Sequence, residues 1–168
     1  MHFLLVLVVS ALAGTPPQRS ESLLVRAVID GNTIDVGTVG RVRLLGIDAP
    51  RPGRGFDRGA PFAVEAREKL ASLVLNHWVR LERDTPGRDD RSRRPAYVVR
   101  EDGLFVNAAL VREGLARVNA RASLNRLAEL QRAEREARSF RRGLWRYTEK
   151  NVNDPGRVRV TSKDSRAQ

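Results

Sequence analysis

The side chains able to do chemistry here are few in kind. The 168-residue chain has no cysteine and only two histidines, His2 and His77. That excludes thiol nucleophiles, disulfide frameworks, thiolate zinc sites and iron–sulfur clusters, and leaves too few imidazoles for an ordinary zinc centre. Any reaction must be run by Asp, Glu, Arg, hydroxyls and the backbone. Arginine dominates that set: of 31 cationic residues all but Lys69, Lys150 and Lys163 are arginine, against 20 acidic residues, for a formal charge of +11. A guanidinium fork matches phosphate geometry and keeps its charge at any working pH. A balance this basic points to a polyanion: nucleic acid, an acidic membrane surface or a polysaccharide.

The elements that must hold such residues follow from hydrophobic period. Residues 23–29, 33–36 and 39–47 read as a three-strand meander, turned at Asp30-Gly31-Asn32 and stopped by Asp48-Ala49-Pro50. A Gly-, Pro- and Arg-rich loop, 51–59, leads to Pro61, which opens a helix with Phe62, Ala66, Leu70, Leu73 and Val74 on one face. Residues 78–82 and 96–99 read as two more strands, separated by a charged loop at 83–94. Residues 106–113, ended by Gly114, and 124–140 read as helices. Five short strands with a helix between the third and fourth predict an α+β fold, a five-stranded OB-fold β-barrel with three helices.

The two ends differ from this middle. Residues 3–12 form an apolar run too short to span a bilayer, followed by small residues and Pro16-Pro17. This predicts a signal peptide cleaved after Ala13 and an exported, periplasmic or secreted, monomer without a membrane span, although no Lys or Arg precedes the run. The folded domain is expected over 23–145. Residues 146–168 form a polar basic tail, in which 157–161 alternates and reads as a short extra strand or a frayed end.

Five segments in register then carry a resemblance. They are Val28-Ile29-Asp30-Gly31-Asn32-Thr33, Arg43-Leu44-Leu45-Gly46-Ile47-Asp48-Ala49-Pro50, and Ala96-Tyr97. The fourth is Val106-Asn107-x-Ala109-Leu110-Val111-x-x-Gly114-Leu115-Ala116-x-Val118, and the fifth is Glu134-x-x-Ala137 leading to Gly143-Leu144-Trp145. Together they resemble the staphylococcal-nuclease-like (thermonuclease) family. The resemblance implies the same barrel, and cleavage of DNA or RNA phosphodiesters by a calcium ion (Ca2+) and two arginines, with a glutamate helping water attack. It implies Arg43 as the first phosphate-binding arginine, Asp48 as a calcium carboxylate, and Ala49 as a ligand through its backbone carbonyl. The second arginine falls at Arg93, with Arg94 as its rival, because Arg91-Ser92-Arg93-Arg94-Pro95 blurs the usual pattern.

Two positions depart from the pattern. Asn32 stands where the family has its first calcium carboxylate, and Arg51 where it has the glutamate. The family's Asp/Asp/Glu becomes Asn/Asp/Arg and its charge rises from −3 to 0. Calcium affinity depends on ligand charge, and arginine cannot act as a general base. Two readings follow: a nuclease with altered or weakened metal dependence, its base replaced by solvent, by Asp30 flanking the site or by Asp57 in the loop; or an inactive nucleic-acid-binding module in which Arg51 pairs with Asp48 and replaces the metal's charge. A basic protein that grips acidic polymers without preference needs only the charge. Aromatics are 5% of the chain, and the stretch after Val118 lacks the tyrosines the family's best-known members carry, which weakens base stacking. His77 is expected on the surface, Trp78 and Trp145 as core or capping anchors, Glu65 as a first-turn acid, and Asn107 as a helix cap.

Overall fold

Alternation of apolar and polar side chains, with tight turns between, closes five strands on themselves. In the computed structural model the described residues are 21–53, 55, 59–84, 94–119 and 124–146, with the backbone alone for Arg94. The expected signal peptide, the tail beyond Arg146, Asp57 and Arg93 lie outside them. Strand β1 is Leu23–Asp30, β2 Thr33–Val36, β3 Gly40–Leu44, β4 Ile47–Asp48, β5 Trp78–Glu82, β6 Arg94–Arg100 and β7 Arg117–Val118. The barrel order is β1-β2-β3-β6-β5, closed by β5 on β1, and β4 and β7 form a separate two-stranded ribbon. All barrel pairs are antiparallel except β3 with β6. Helices α1 (Ala63–Val74), α2 (Val106–Arg112) and α3 (Leu127–Ser139) and a 3₁₀ turn, Gly143–Trp145, complete the α+β architecture.

The core fills the barrel and continues under the helices. Val25, Ile34, Val42, Leu44, Val79 and Val98 from the strands meet Leu70 of α1, Leu110 of α2 and Leu130 of α3, all essentially solvent-free. Each such side chain contributes on the order of 1.5–3 kcal/mol when buried. Asn107 is also fully buried, and it is no cap. Its Oδ1 accepts the Val98 N–H at 3.0 Å and its Nδ2 donates to the Leu45 carbonyl at 2.9 Å, so one amide ties α2 to β6 and to the end of β3. It satisfies two backbone groups that the barrel leaves without ladder partners.

Several boundaries differ from the sequence reading; β6, for example, runs over Arg94–Arg100 and not 96–99. The third strand stops at Leu44, because Gly46 takes a φ of 77° and turns the chain, and Ile47–Asp48 pairs with Arg117–Val118 instead. A side chain at Gly46 would meet Leu130 at 2.7 Å, so α3 presses directly on that turn. Helix α1 begins at Ala63, after Phe62 in the left-handed region at φ 66°. Helix α3 begins at Leu127, not 124; ahead of it the backbone N–H groups of Asn125 and Arg126 donate to Asp84 and to the Tyr97 hydroxyl. Trp78 is 51% exposed rather than a core anchor. His77 is exposed and Glu65 sits in the first turn of α1, as expected.

Candidate functional site

Three short pieces of chain converge at one end of the barrel. Asp30 accepts the Asn32 N–H on its Oδ1 at 3.0 Å, the local hydrogen bond that makes Asp-Gly-Asn a tight turn. The Asn32 carbonyl accepts the Leu44 N–H at 2.8 Å, which fastens that turn to β3. Gly31 lies so close to Ala49 and to Ala66 of α1 that a Cβ would stand 2.8 Å from each of their methyl carbons. The β1–β2 turn, the β4 turn and α1 are thereby locked face to face.

Arg43 on β3 and Asp48 on β4 meet across this junction. The Arg43 Nη2 donates to Asp48 Oδ1 at 2.6 Å, with the two side chains 30% and 41% exposed. Asn32, only 4% exposed, lies beneath them, its Nδ2 3.4 Å from the same Asp48 oxygen and 3.3 Å from the Ile47 carbonyl. Two acceptors face that amide nitrogen, which fixes its orientation. Partly exposed ion pairs contribute only ~0–1 kcal/mol, so an incoming anion can take over the guanidinium at small cost. The pair therefore aims Arg43 more than it stabilises the fold.

The other expected site residues fall around this pair. Ala49 is buried next to Asp48, against Gly31. Asp30 is spent on its turn. Arg51 is exposed, and its carbonyl accepts the Ala60 N–H at 3.0 Å across the base of the 51–59 loop. Among the described residues Asp48 is paired with Arg43, not with Arg51, so the expected Arg51–Asp48 pair is replaced by a link one strand earlier. Arg94 opens β6 opposite Val42, the neighbour of Arg43 on β3.

Calcium takes six to eight oxygen ligands, with carboxylates carrying most of the affinity. At this turn one carboxylate, Asp48, is engaged by a cation, and Asn32 presents its N–H₂ end rather than its carbonyl oxygen. Among the described residues no group of three or more His, Cys, Asp or Glu could hold a metal ion. The donor set does not fit calcium as the resemblance implied it.

Arg117 was not read from the sequence as a site residue. It pairs with Asp48 across the β4–β7 ribbon, and its guanidinium carbon lies 4.8 Å from the ring centre of Trp145, which Arg138 of α3 covers at 4.0 Å. It occupies the unassigned position between Ala116 and Val118 in the fourth motif segment. Only the fold brings it to Asp48.

Comparison with known proteins bears on this geometry. Residues 41–147 match the family model described as staphylococcal nuclease homologue. A thermonuclease of Staphylococcus intermedius is 35% identical over 131 residues, covering 76% of this chain and 77% of the relative. The micrococcal nuclease of Shigella flexneri is 32% identical over 148 residues, covering 82% and 80%. The endonuclease YncB of Bacillus subtilis (strain 168) is 32% identical over 142 residues, covering 79% and 67%.

Proposed function

Because the chain belongs to the staphylococcal nuclease family, we propose that it hydrolyses phosphodiester bonds of nucleic acid, DNA or RNA, with a weakened dependence on calcium. The observation that carries this reading is the Arg43–Asp48 contact at 2.6 Å, held over the buried Asn32 where three elements meet. We further propose that it is exported, on the strength of the apolar run at 3–12 and the small residues after it, and that it acts as a monomer.

The chemistry assigned to the residues is limited to what they can do. Arg43 exchanges part of its contact with Asp48 for a non-bridging phosphate oxygen. It then faces the extra negative charge that develops as water adds to phosphorus, where a pre-aimed donor acts most strongly. Asp48 keeps the guanidinium in place; as the water oxygen bonds to phosphorus and the opposite ester P–O bond breaks, the water gives up its proton to solvent and the departing ester oxygen takes one from solvent. Arg94, which opens β6, or Arg93 before it in sequence, supplies the second cation. Arg51 adds positive potential at the rim and takes no proton, since its guanidinium stays charged. Such a site lacks a dedicated glutamate base, a group that typically supplies ~10²–10⁴-fold, so slow turnover is expected.

The test is digestion of single-stranded DNA by residues 14–168 with calcium, magnesium, manganese or chelator, beside Arg43→Ala. Loss of one such donor is expected to lower the rate by ~10²–10³-fold. Any stimulation by calcium is expected only at about millimolar concentration or above, the range of weak extracellular sites. Saturation by micromolar calcium would contradict the weakened metal dependence. Salt-sensitive retention of intact DNA under every condition would favour the inactive binding module instead.

A further inference from the structure

One cavity opens directly beside the Arg43–Asp48 pair, and apart from Asp48 none of its lining residues takes part in the chemistry above. It encloses about 580 Å³, within the ~300–1,000 Å³ common to small-molecule sites. Its walls are mostly apolar: Pro50 after the β4 turn, Pro61 and Phe62 just before α1, and Leu144 in the 3₁₀ turn. Its edge is polar, with Asp48, Arg117 and Asn119 supplying a carboxylate, a guanidinium and an amide. Asp48 belongs both to the cavity and to the phosphate-facing pair. Phe62, a bulky residue rarely found at positive φ, is held at φ 66° on its wall. Such strain persists only where the surrounding structure enforces it.

We propose that this cavity receives a nucleobase of the strand whose phosphate lies on Arg43. The assignment rests on the nucleic-acid reading of that site and adds to it the place of a neighbouring nucleotide. A phosphate at Arg43 brings its flanking sugar and base within one nucleotide of Asp48, and the cavity begins at Asp48. Apolar walls that include the aromatic Phe62 suit the face of a base, while the carboxylate, amide and guanidinium at the edge suit the donors and acceptors of a base rim. Arg117 is set against the Trp145 ring, so its charge stands at the mouth where the next phosphate would pass.

The test uses a fluorescent single-stranded hexanucleotide with phosphorothioate linkages and a second strand of identical backbone carrying abasic residues. Affinities are compared by anisotropy for the wild-type chain and for Ala60→Trp, which fills the cavity from an exposed rim position. Asn119→Ala trims the polar edge as a second variant, and circular dichroism checks both folds. The wild type is expected to prefer the base-bearing strand by roughly tenfold, the scale of one base stack. Ala60→Trp is expected to abolish that preference without changing affinity for the abasic strand, and Asn119→Ala to reduce it. No preference in the wild type, or equal weakening of both strands by Ala60→Trp, overturns the pocket assignment while leaving Arg43 as a phosphate site. Failure of the wild type to bind either strand overturns the nucleic-acid reading itself, and the pocket with it.

Discussion

Asn32 and Arg51 decide how this site treats a cation, and they do so through charge and hydrogen-bond polarity. With Asn32 donating to Asp48 and Ile47, and Arg43 donating to Asp48, the polar groups of the turn partner one another. Replacing both departures, Asn32→Asp with Arg51→Glu, brings three carboxylates toward one point and removes the amide donors. Without metal the double variant is expected to melt lower, because like charges meet and the Ile47 carbonyl loses its partner, at ~1–3 kcal/mol for a buried polar group left alone. Calcium is expected to reverse that loss and to bind tightly enough for titration calorimetry, whereas the wild type gives no comparable heat. Equal calcium responses in the two proteins would remove the argument. Arg43, Asp48 and Asn32 were singled out from the sequence through the family resemblance, whose motif segments contain all three. Their mutual contact was not legible, since it depends on β3 ending at Leu44 and on Gly46 turning the chain.

Elements, by contrast, are placed by contacts far apart in sequence. The barrel strands were legible from alternation, and α2 from Val106 onward, because those signals are local. The β4–β7 ribbon was not, since two-residue strands carry no period, nor were the bonds that hold the segment before α3 on Tyr97 of β6 and on Asp84 after β5. Two substitutions probe these long-range placements. Gly31→Ala drives a methyl to 2.8 Å from both Ala49 and Ala66, forcing the β1–β2 turn off α1. A cost of ~1–3 kcal/mol is expected for such overpacking, read as a lower urea midpoint, with weakened DNA binding because Asn32 and Asp48 move apart. Asn107→Leu leaves the Val98 N–H and the Leu45 carbonyl unpaired in the core. At ~1–3 kcal/mol for each orphaned group, it is expected to be the more damaging of the two. A denaturation midpoint close to wild type would mean that Asn107 is not the staple between α2 and the barrel.

Across the whole molecule, barrel and helical layer are joined by one polar cluster around Tyr97. The Tyr97 hydroxyl donates to Asp84 Oδ1 at 3.1 Å and accepts the Arg126 N–H at 3.3 Å, and Asp84 Oδ1 also accepts the Asn125 N–H at 2.8 Å. Arg126 pairs with the buried Glu82 at 3.2 Å and lies 4.2 Å from the Phe105 ring centre. The start of α3 is thus held on β5 and β6 by groups from both. Burial of the ring, reinforced by the Asp84 carboxylate, pushes the Tyr97 hydroxyl up to about 12, while the Arg126 N–H acts the other way. A phenol whose pKa rises on folding favours the folded state fully below its unfolded value of ~10 and loses that contribution as pH climbs through the folded value. Stability is therefore expected to fall between about pH 10 and pH 12, by up to roughly 2 kcal/mol from this group. Tyr97→Phe removes the titration but also strands the Arg126 N–H and takes one of two donors from Asp84, so it is expected to be less stable than wild type at pH 8 and to show a flatter decline above pH 10. Urea midpoints of both proteins at pH 8, 10, 11 and 12 measure this directly, and parallel declines would assign the alkaline loss to the chain's other titrating groups.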